Sequence, residues 1–123
     1  VKNPLGKVYY DVKEVDHLGN VTSMSLGNGV QTRKVFDPLT NRISNIHSFG
    51  PMRLTNDPDI QDLTFNFDKI GNLDYRNDEL QQIAETSEYD DLNRLIDVST
   101  TMGNKPASRS NISYFDNGNI ILL

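Results

Sequence analysis

Apolar and polar residues alternate along much of the chain in short runs, with the period of two that a half-buried β-strand requires. In one run, Leu63, Phe65 and Phe67 fall on one face of a strand, whereas Thr64 and Asn66 fall on the other. The run at 30–36 alternates in the same way but mixes polar and apolar residues on each face. Gly, Pro, Asn and Asp separate the runs, as they do between strands joined by tight turns. The pattern predicts an all-β protein of short antiparallel strands.

A short motif that begins with an aromatic residue and Asp recurs along the chain. Five of the ten aromatic residues precede an Asp, which is far more than composition predicts. The fullest copy is Phe67-Asp68-Lys69-Ile70-Gly71-Asn72-Leu73. The other copies lie at 15–21, where Val replaces the aromatic residue, at 36–43, one residue longer, at 89–95, and at 115–120, one residue shorter. Their Asp residues at 16, 37, 68, 90 and 116 are separated by 21, 31, 22 and 26 residues, which indicates a repeat of about 21 residues with insertions.

Each copy predicts a tight turn between two strands. An Asp at the first position accepts a hydrogen bond from an amide two residues on, and Gly or Asn then supplies a left-handed conformation. A second kind of turn, Leu26-Gly27-Asn28-Gly29-Val30, contains the Asn-Gly pair typical of hairpins, and residues 101–106 form a looser version. Each unit is therefore expected to be two antiparallel strands with one turn at each edge. The residues predicted to form structural repeat turns are Asp16, Gly19, Asn20, Gly27, Asn28, Gly29, Phe36, Asp37, Phe67, Asp68, Gly71, Asn72, Tyr89, Asp90, Asn93, Arg94, Phe115, Asp116, Gly118 and Asn119.

Two stretches depart from the repeat. Residues 45–62 contain Gly50-Pro51 and Asp57-Pro58, which predict a loop or an irregular insertion. Residues 78–88 place apolar side chains at helical spacing after Asp78, so a short helical turn is one interpretation. The other interpretation, which the flanking β units favour, is an extended strand that leads into Tyr89-Asp90.

Composition and charge narrow the classes of function. The chain has 123 residues with 12 Lys and Arg against 17 Asp and Glu, a net charge of −5. This acidic balance argues against a surface that binds nucleic acid. The absence of Cys excludes disulfides, thiolate nucleophiles, zinc ribbons and iron–sulfur clusters. No apolar run approaches the roughly 20 residues that span a bilayer, so we expect neither a nucleic-acid partner nor a membrane span.

The sequence offers little material for catalysis or metal binding. The only histidines are His17 and His47, and no Gly-x-Ser-x-Gly nucleophile motif occurs. The segment that begins at Asp57 has a faint likeness to a calcium loop. Its sixth and twelfth places, however, hold Asp62 and Asp68 in place of the Gly and Glu of an EF-hand. We expect no catalytic residue, no cofactor and no metal site.

The Tyr/Phe-Asp-x-x-Gly-Asn/Arg-Leu units resemble the YD repeats of rearrangement-hotspot (Rhs) proteins. The similar stretches are 26–30, 60–76 and 88–95, and the resemblance extends over nearly the whole chain. It implies β-hairpins that coil into a curved or spiral sheet, part of a hollow shell. In the bacterial members of that protein family, the shell encloses a C-terminal toxin domain. Such shells occur in the B–C component of insecticidal toxin complexes and in secreted polymorphic toxins.

The same resemblance carries no protease residue over to this chain. The self-cleaving aspartyl site of the family is built around Asp-Pro-Xaa-Gly-Leu. Neither Asp37-Pro38-Leu39-Thr40 nor Asp57-Pro58-Asp59 contains that Gly-Leu pair.

We therefore expect a non-enzymatic fragment of a larger secreted or surface protein of bacteria. Residues 1–123 would form one array of about five units, with an irregular insertion near 45–62. The chain starts at Val1 and stops in the apolar run 120–123, which suggests cut edges that could pair with other copies. The expected partners are the remaining repeats and the toxin cargo. The alternative is a module for adhesion or carbohydrate binding, which exposed aromatic residues would favour over aromatics buried between turns.

Overall fold

The structure, a computed structural model, describes residues 1–52 and 55–121. The described residues contain no α-helix, and so none that could cross a membrane. The strands are β1 (Tyr10–Val15), β2 (Val21–Leu26), β3 (Gln31–Phe36), β4 (Ile43–Phe49), β5 (Gln61–Phe67), β6 (Leu73–Asp78), β7 (Ile83–Tyr89), β8 (Leu95–Met102), β9 (Ser108–Asn111), β10 (Ser113–Tyr114) and β11 (Ile120–Ile121).

Strands β1 to β9 form a sheet whose hydrogen-bonded order follows the order along the chain, and β10 pairs with β11. Every registered pair is antiparallel, and the nine-stranded sheet is not closed. Such a meander arises because each strand is joined to the next by a short turn, which only antiparallel neighbours allow. The expected all-β class of antiparallel hairpins is confirmed.

The chain divides into two compact units, Val1–Thr64 and Phe65–Leu123. In the first unit, β2 pairs Ser23 with Arg33 of β3, and Arg33 in turn lies opposite His47 of β4. In the second unit, β7 is registered against β6 through Thr86 and Tyr75, and against β8 over its whole length. In each unit the turns of the recurring motif lie at one edge of the strands, and the remaining hairpin turns lie at the other.

The alternation read from the sequence sets which side chains are covered. In β3, Thr32, Lys34 and Phe36 are half-buried, whereas Gln31, Arg33 and Val35 are exposed. In β5, Leu63 is buried and Asn66 exposed. The period of two thus holds even where the side chains on one face differ in polarity.

The two departures from the repeat take simpler forms than the first interpretations suggested. Strand β4 continues to Phe49, so the irregular segment is confined to residues 50–60, within which Arg53 and Leu54 lie outside the described residues. The stretch at 78–88 contains no helical turn: β6 ends at Asp78, a turn follows, and β7 begins at Ile83. The helical interpretation is wrong because cross-strand pairing on both sides outweighs the local spacing of a few apolar residues.

Little of the chain is fully covered. Among the described residues the buried side chains are Phe49, Leu63, Ser48 and Asp97. The accessible surface is 8977 Å², about a third above the roughly 6,700 Å² expected of a compact monomer of this mass. Stability therefore depends on pairing between neighbouring strands and turns more than on a central core.

The apolar strip of β5 identifies the side chain whose loss should cost most. We expect Leu63→Ala, at a residue 6% exposed, to lower the free energy of unfolding by about 2–4 kcal/mol, because it removes buried methyl groups and leaves a cavity. Leu39→Ala is the matched control, since Leu39 is 93% exposed and should change stability little. Urea unfolding followed by circular dichroism measures both, and equal effects of the two variants would contradict this account of the packing.

Candidate functional site: the capped turns

The turn at 68–72 shows how the repeated motif works. One carboxylate oxygen of Asp68 accepts hydrogen bonds from the backbone amides of Ile70, Gly71 and Asn72, at 3.0, 2.8 and 2.9 Å. The other accepts from the side-chain amide of Asn72 at 3.0 Å. The backbone amide of Asp68 donates to the carbonyl of Asn72 at 2.9 Å, which closes the loop. A single carboxylate thus accepts hydrogen bonds from the backbone amides of the turn, which cannot pair with a neighbouring strand.

Two further turns repeat this arrangement. Asp16 accepts from two backbone amides, one of them that of Asn20, and from the side-chain amide of Asn20 at 2.8 Å. Asp90 likewise accepts from two backbone amides, including that of Arg94, and Arg94 Nε donates to its second oxygen at 2.7 Å. The residue four places after the Asp therefore braces the carboxylate in each turn, whether it is Asn or Arg.

The turn that begins at Asp37 is one residue longer, as the sequence predicts. Asp37 accepts from the amides of Leu39 and Thr40, each at 2.8 Å, and its own amide donates to the carbonyl of Arg42. Asn41 takes a left-handed conformation with φ 56°. Pro38 lies at the first turn position, where its fixed φ is compatible with the bend.

The last turn is shifted by one residue from the expected alignment. The amide of Phe115 donates to the carbonyl of Asn119, and the amide of Gly118 donates to the carbonyl of Phe115, each at 2.8 Å. These are the closing bonds of the turn at 68–72, so Phe115 occupies the Asp position, Tyr114 the aromatic position, and the turn is of normal length. Asp116 lies one place too late to cap it, and Asn117 instead accepts from the amide of Asn119 at 3.1 Å.

The second kind of turn depends on a close backbone approach. Leu26 and Val30 are joined across the Asn-Gly turn by a hydrogen bond from the amide of Leu26, and Gly29 has φ +87°. The amide of Gly27 donates to the carbonyl of Tyr9 at 2.6 Å, and a Cβ at Gly27 would overlap the carbonyl oxygen of Val8. Gly27 is thus required by space, and Gly29 by its positive φ.

Neighbouring turns at the same edge are joined by side chains. The side-chain amide of Asn20 donates to Oδ1 of Asn41 at 2.6 Å. The corresponding pair in the second unit, Asn72 and Asn93, makes a longer contact at 3.4 Å. Both pairs are 21 residues apart, one repeat unit along the chain.

The aromatic residue before the turn also reaches the preceding hairpin. The hydroxyl of Tyr89 donates to the carbonyl of Leu73, and that of Tyr114 donates to the carbonyl of Leu95, both at 2.8 Å. In each case the acceptor is the residue that directly follows the previous turn. The guanidinium of Arg94 lies 4.4 Å from the centre of the Tyr114 ring, within cation–π range. The equivalent position of the two acceptors, each directly after a turn, supports the shifted alignment of the last turn.

Hydrogen bonding keeps the capping carboxylates charged. The side-chain bond from Asn20 lowers the pKa of Asp16, and backbone bonds from Thr40 and Arg94 lower those of Asp37 and Asp90. At Asp68, partial burial acts to raise the pKa, but the bonds from the backbone amides and from the side chain of Asn72 outweigh it and the net direction is downward. The turns are therefore most stable with the carboxylate ionised.

The aromatic residues lie mostly between strands and turns. Seven of the ten are buried or half-buried: Phe36, Phe49, Phe65, Phe67, Tyr75, Tyr89 and Tyr114. Tyr9, Tyr10 and Phe115 are exposed.

An ion pair between a buried carboxylate and an exposed guanidinium, which the sequence analysis did not single out, joins β8 to β9. Asp97, 4% exposed, accepts from Arg109 Nη2 at 2.8 Å and from the side-chain amide of Asn111 at 2.7 Å. No local motif marks these residues, because the pairing register of two strands brings them together.

The two histidines take unrelated positions. His47 Nδ1 lies 3.0 Å from Oδ1 of Asp62 across β4 and β5, and no hydroxyl nucleophile is hydrogen-bonded to His47 within the described ranges. His17 is exposed in the first turn. Asp59 accepts from the amide of Gly50 and so closes the irregular segment. In the part of the chain that the structure describes, no group of three or more His, Asp or Glu side chains could hold a metal ion.

Comparison with solved structures identifies the same fold in much larger chains. A crystal structure of TcdB2-TccC3-Cdc42 matches with a TM-score of 0.71 at 19% identity, over 87% of this chain and 6% of that one. A crystal structure of TcdB2-TccC3-TEV matches with a TM-score of 0.54 at 15% identity, over 92% of this chain and 8% of that one. No family model and no curated protein matches the chain. The likeness shows the fold, and it supports the resemblance to the YD-repeat shells of Rhs proteins.

The lowered pKa values predict loss of stability in acid. A group whose pKa is lower in the folded state stabilises that state above its unfolded pKa, about 3.9 for Asp, and ceases to do so as pH falls through the folded value. We expect the free energy of unfolding to decline below about pH 4. Asp68→Asn should lower the number of protons taken up on unfolding by up to about one. Asp116→Asn, which removes a carboxylate that caps no turn, is the control variant, and urea unfolding between pH 2 and 7 measures the stability of both.

The hydroxyl of Tyr89 provides a second test. Tyr89→Phe keeps the ring, as Phe67 does in the preceding motif, but leaves the Leu73 carbonyl without this donor. We expect a loss of about 1 kcal/mol in the free energy of unfolding. Tyr75→Phe is the matched control, because the hydroxyl of this half-buried ring makes no hydrogen bond to the described residues. Equal effects in chemical denaturation would show that the Tyr89 bond does not stabilise the fold.

Proposed function

We propose that the chain is a structural, non-enzymatic segment of the wall of a secreted Rhs/YD-repeat shell that encapsulates a C-terminal toxin domain. The observation that carries this proposal is the row of closed turns, in which side chains join neighbouring hairpins within each of the two units. Such contacts stabilise an array and offer no reacting group. The fold likeness to segments of TcdB2-TccC3 chains supports it.

The distribution of polar residues suits a wall with water on both sides. In the second unit, Tyr75, Thr86, Ser99 and Arg109 are registered across one face, and Arg76, Glu85, Thr100 and Ser108 across the other. Neither face carries the continuous apolar stripe that a second sheet or a helix layer would need. A single layer of paired strands can therefore separate two aqueous compartments without a conventional core.

The aromatic residues favour a wall over an adhesive surface. Rings that recognise carbohydrate must be exposed, whereas most aromatic side chains here are covered by neighbouring strands and turns. Tyr9 and Tyr10 are the exposed neighbours on which the alternative, an adhesion or carbohydrate-binding module, would have to rest. One such pair is a smaller platform than the extended cluster that this alternative predicts.

We further propose that the repeat-turn residues are structural in the parent protein and that residues 1–123 belong to one array. The partners are then the adjoining repeats and the enclosed toxin, and the parent protein is secreted or displayed at the surface of a bacterium. The resemblance to Rhs proteins supports these assignments. Any self-association of the separate chain would use the edge strands of the open sheet.

The absence of Cys from the sequence allows a direct test of encapsulation. Thr86 and Ser87 are consecutive in β7 and are registered with Ser99 and Val98, so their side chains lie on opposite faces. Thr86→Cys and Ser87→Cys would each report one face. In the separate chain, a bulky maleimide should label both. In the parent polypeptide, we expect one position to become at least about tenfold slower to label, because it faces the closed lumen.

Two results would contradict the wall. Equal labelling of both positions in the parent polypeptide would show that neither face is enclosed. Tight and specific binding of the chain to a glycan array, lost in a Tyr9→Ala and Tyr10→Ala double variant, would support the recognition role instead. Denaturing the labelled parent protein restores reactivity at both positions and serves as the internal control.

A further inference from the structure

Successive turns at the capped edge alternate between two residue pairs. The left-handed position and the residue after it are Gly19-Asn20, Asn41-Arg42, Gly71-Asn72, Asn93-Arg94 and Gly118-Asn119. We name the first kind the Gly-Asn turn and the second the Asn-Arg turn. The φ angles are 87–105° at the Gly positions, which favour Gly, and 56–59° at the Asn positions, which Gly can also adopt. Backbone conformation therefore does not explain why Asn, and not Gly, stands at 41 and 93.

The Gly-Asn turn contacts the following turn through an amide. One hydrogen of the Asn20 side-chain amide goes to Asp16 at 2.8 Å within the turn, and the other goes to Oδ1 of Asn41 at 2.6 Å. The acceptor is the left-handed residue of an Asn-Arg turn. A Gly at that place would offer no side-chain oxygen, so this amide junction requires an Asn-Arg turn as its neighbour. Asn72 and Asn93 repeat the pairing at 3.4 Å.

The Asn-Arg turn contacts the following turn through a different group. Arg94 uses Nε to brace Asp90 at 2.7 Å, as Asn72 does for Asp68, and its guanidinium plane covers the ring of Tyr114 at 4.4 Å. Tyr114 is the aromatic residue that precedes the next Gly-Asn turn. An Asn in place of Arg94 would brace the carboxylate but is too short to stack on that ring. This is an Arg–aromatic junction.

We infer that the two junctions alternate and are not interchangeable, so that the working unit of the array is a pair of hairpins. Asn41, Asn93 and Arg94 are then positioning residues that decide which hairpin can follow which. This inference deepens the wall proposed above and rests on it for its biological meaning. It predicts that repeats can be gained or lost only in pairs without loss of stability.

The test exchanges one turn type for the other. The double variant Asn93→Gly with Arg94→Asn converts the turn at 90–94 into a Gly-Asn turn that is locally complete, because turns of this composition already exist at 16–20 and 68–72. Both of its junctions are nevertheless broken. We expect the unfolding equilibrium constant to rise about tenfold or more, since each junction contributes several-fold. Urea unfolding measures the constant, and near-ultraviolet circular dichroism reports the environment of Tyr114.

If that variant does not fold, a double-mutant cycle at the shorter contact, between Asn20 and Asn41, still tests the inference. Asn20→Ala, Asn41→Gly and their combination should show a coupling of about five-fold in the unfolding constant. Gln82→Gly is the control for the backbone, because Gln82 has φ 54° at the opposite edge and takes part in neither junction. Gln82→Gly should leave the unfolding equilibrium constant unchanged or lower it slightly.

Additive effects at Asn20 and Asn41, or a double variant at 93 and 94 as stable as the natural chain, would overturn the inference. Labelling of the faces in the parent polypeptide could still support a wall in that case. Conversely, coupled turns with both faces freely labelled would leave the paired-hairpin unit intact and refute the shell.

Discussion

The acceptance of backbone amides by an Asp carboxylate is the interaction on which the rest of this fold depends. A hairpin loop of a few residues leaves amide groups that cannot reach the sheet ladder, and each would be costly if unpaired. At Asp68 one oxygen satisfies three such amides, and the other is held by the residue that ends the turn. Once the turn is closed in this way, the following strand is directed back along its partner. Strand order and antiparallel pairing then follow.

Because the turns are self-sufficient, the sheet does not need a deep core. Phe49 and Leu63 are the buried apolar residues in the described part of the chain, and most other apolar side chains are only half-covered. In place of a core, neighbouring hairpins are held together by hydrogen bonds from side-chain amides and tyrosine hydroxyls and by a guanidinium stacked on a tyrosine ring. A protein organised in this way is stable as an array, since each hairpin is stabilised by its contacts with the next. The same organisation suits a thin wall better than a catalytic cleft.

Much of this could be predicted from the sequence because the decisive signals are local. The period-two alternation, the Asp-led turns and the Asn-Gly turn all act within a few residues, and they identified the class of fold and the positions of most turns. At residues 78–88 two local signals competed: the flanking β units favoured an extended strand over a helical turn, and the structure has β7 from Ile83 to Tyr89. The prediction was less successful at the last turn. The last turn was aligned on Asp116, although the closing bonds begin at Phe115.

The sequence by itself therefore determined that the chain is a series of antiparallel hairpins with capped turns at one edge, since those features require only neighbours along the chain. The tertiary structure alone decided which turns touch and by what chemistry. Residues distant in sequence are joined by the bond from Asn20 to Asn41, the stacking of Arg94 on Tyr114 and the bond from Arg109 to Asp97. Their contact depends on strand register, and register is a collective property of paired strands that no single motif contains.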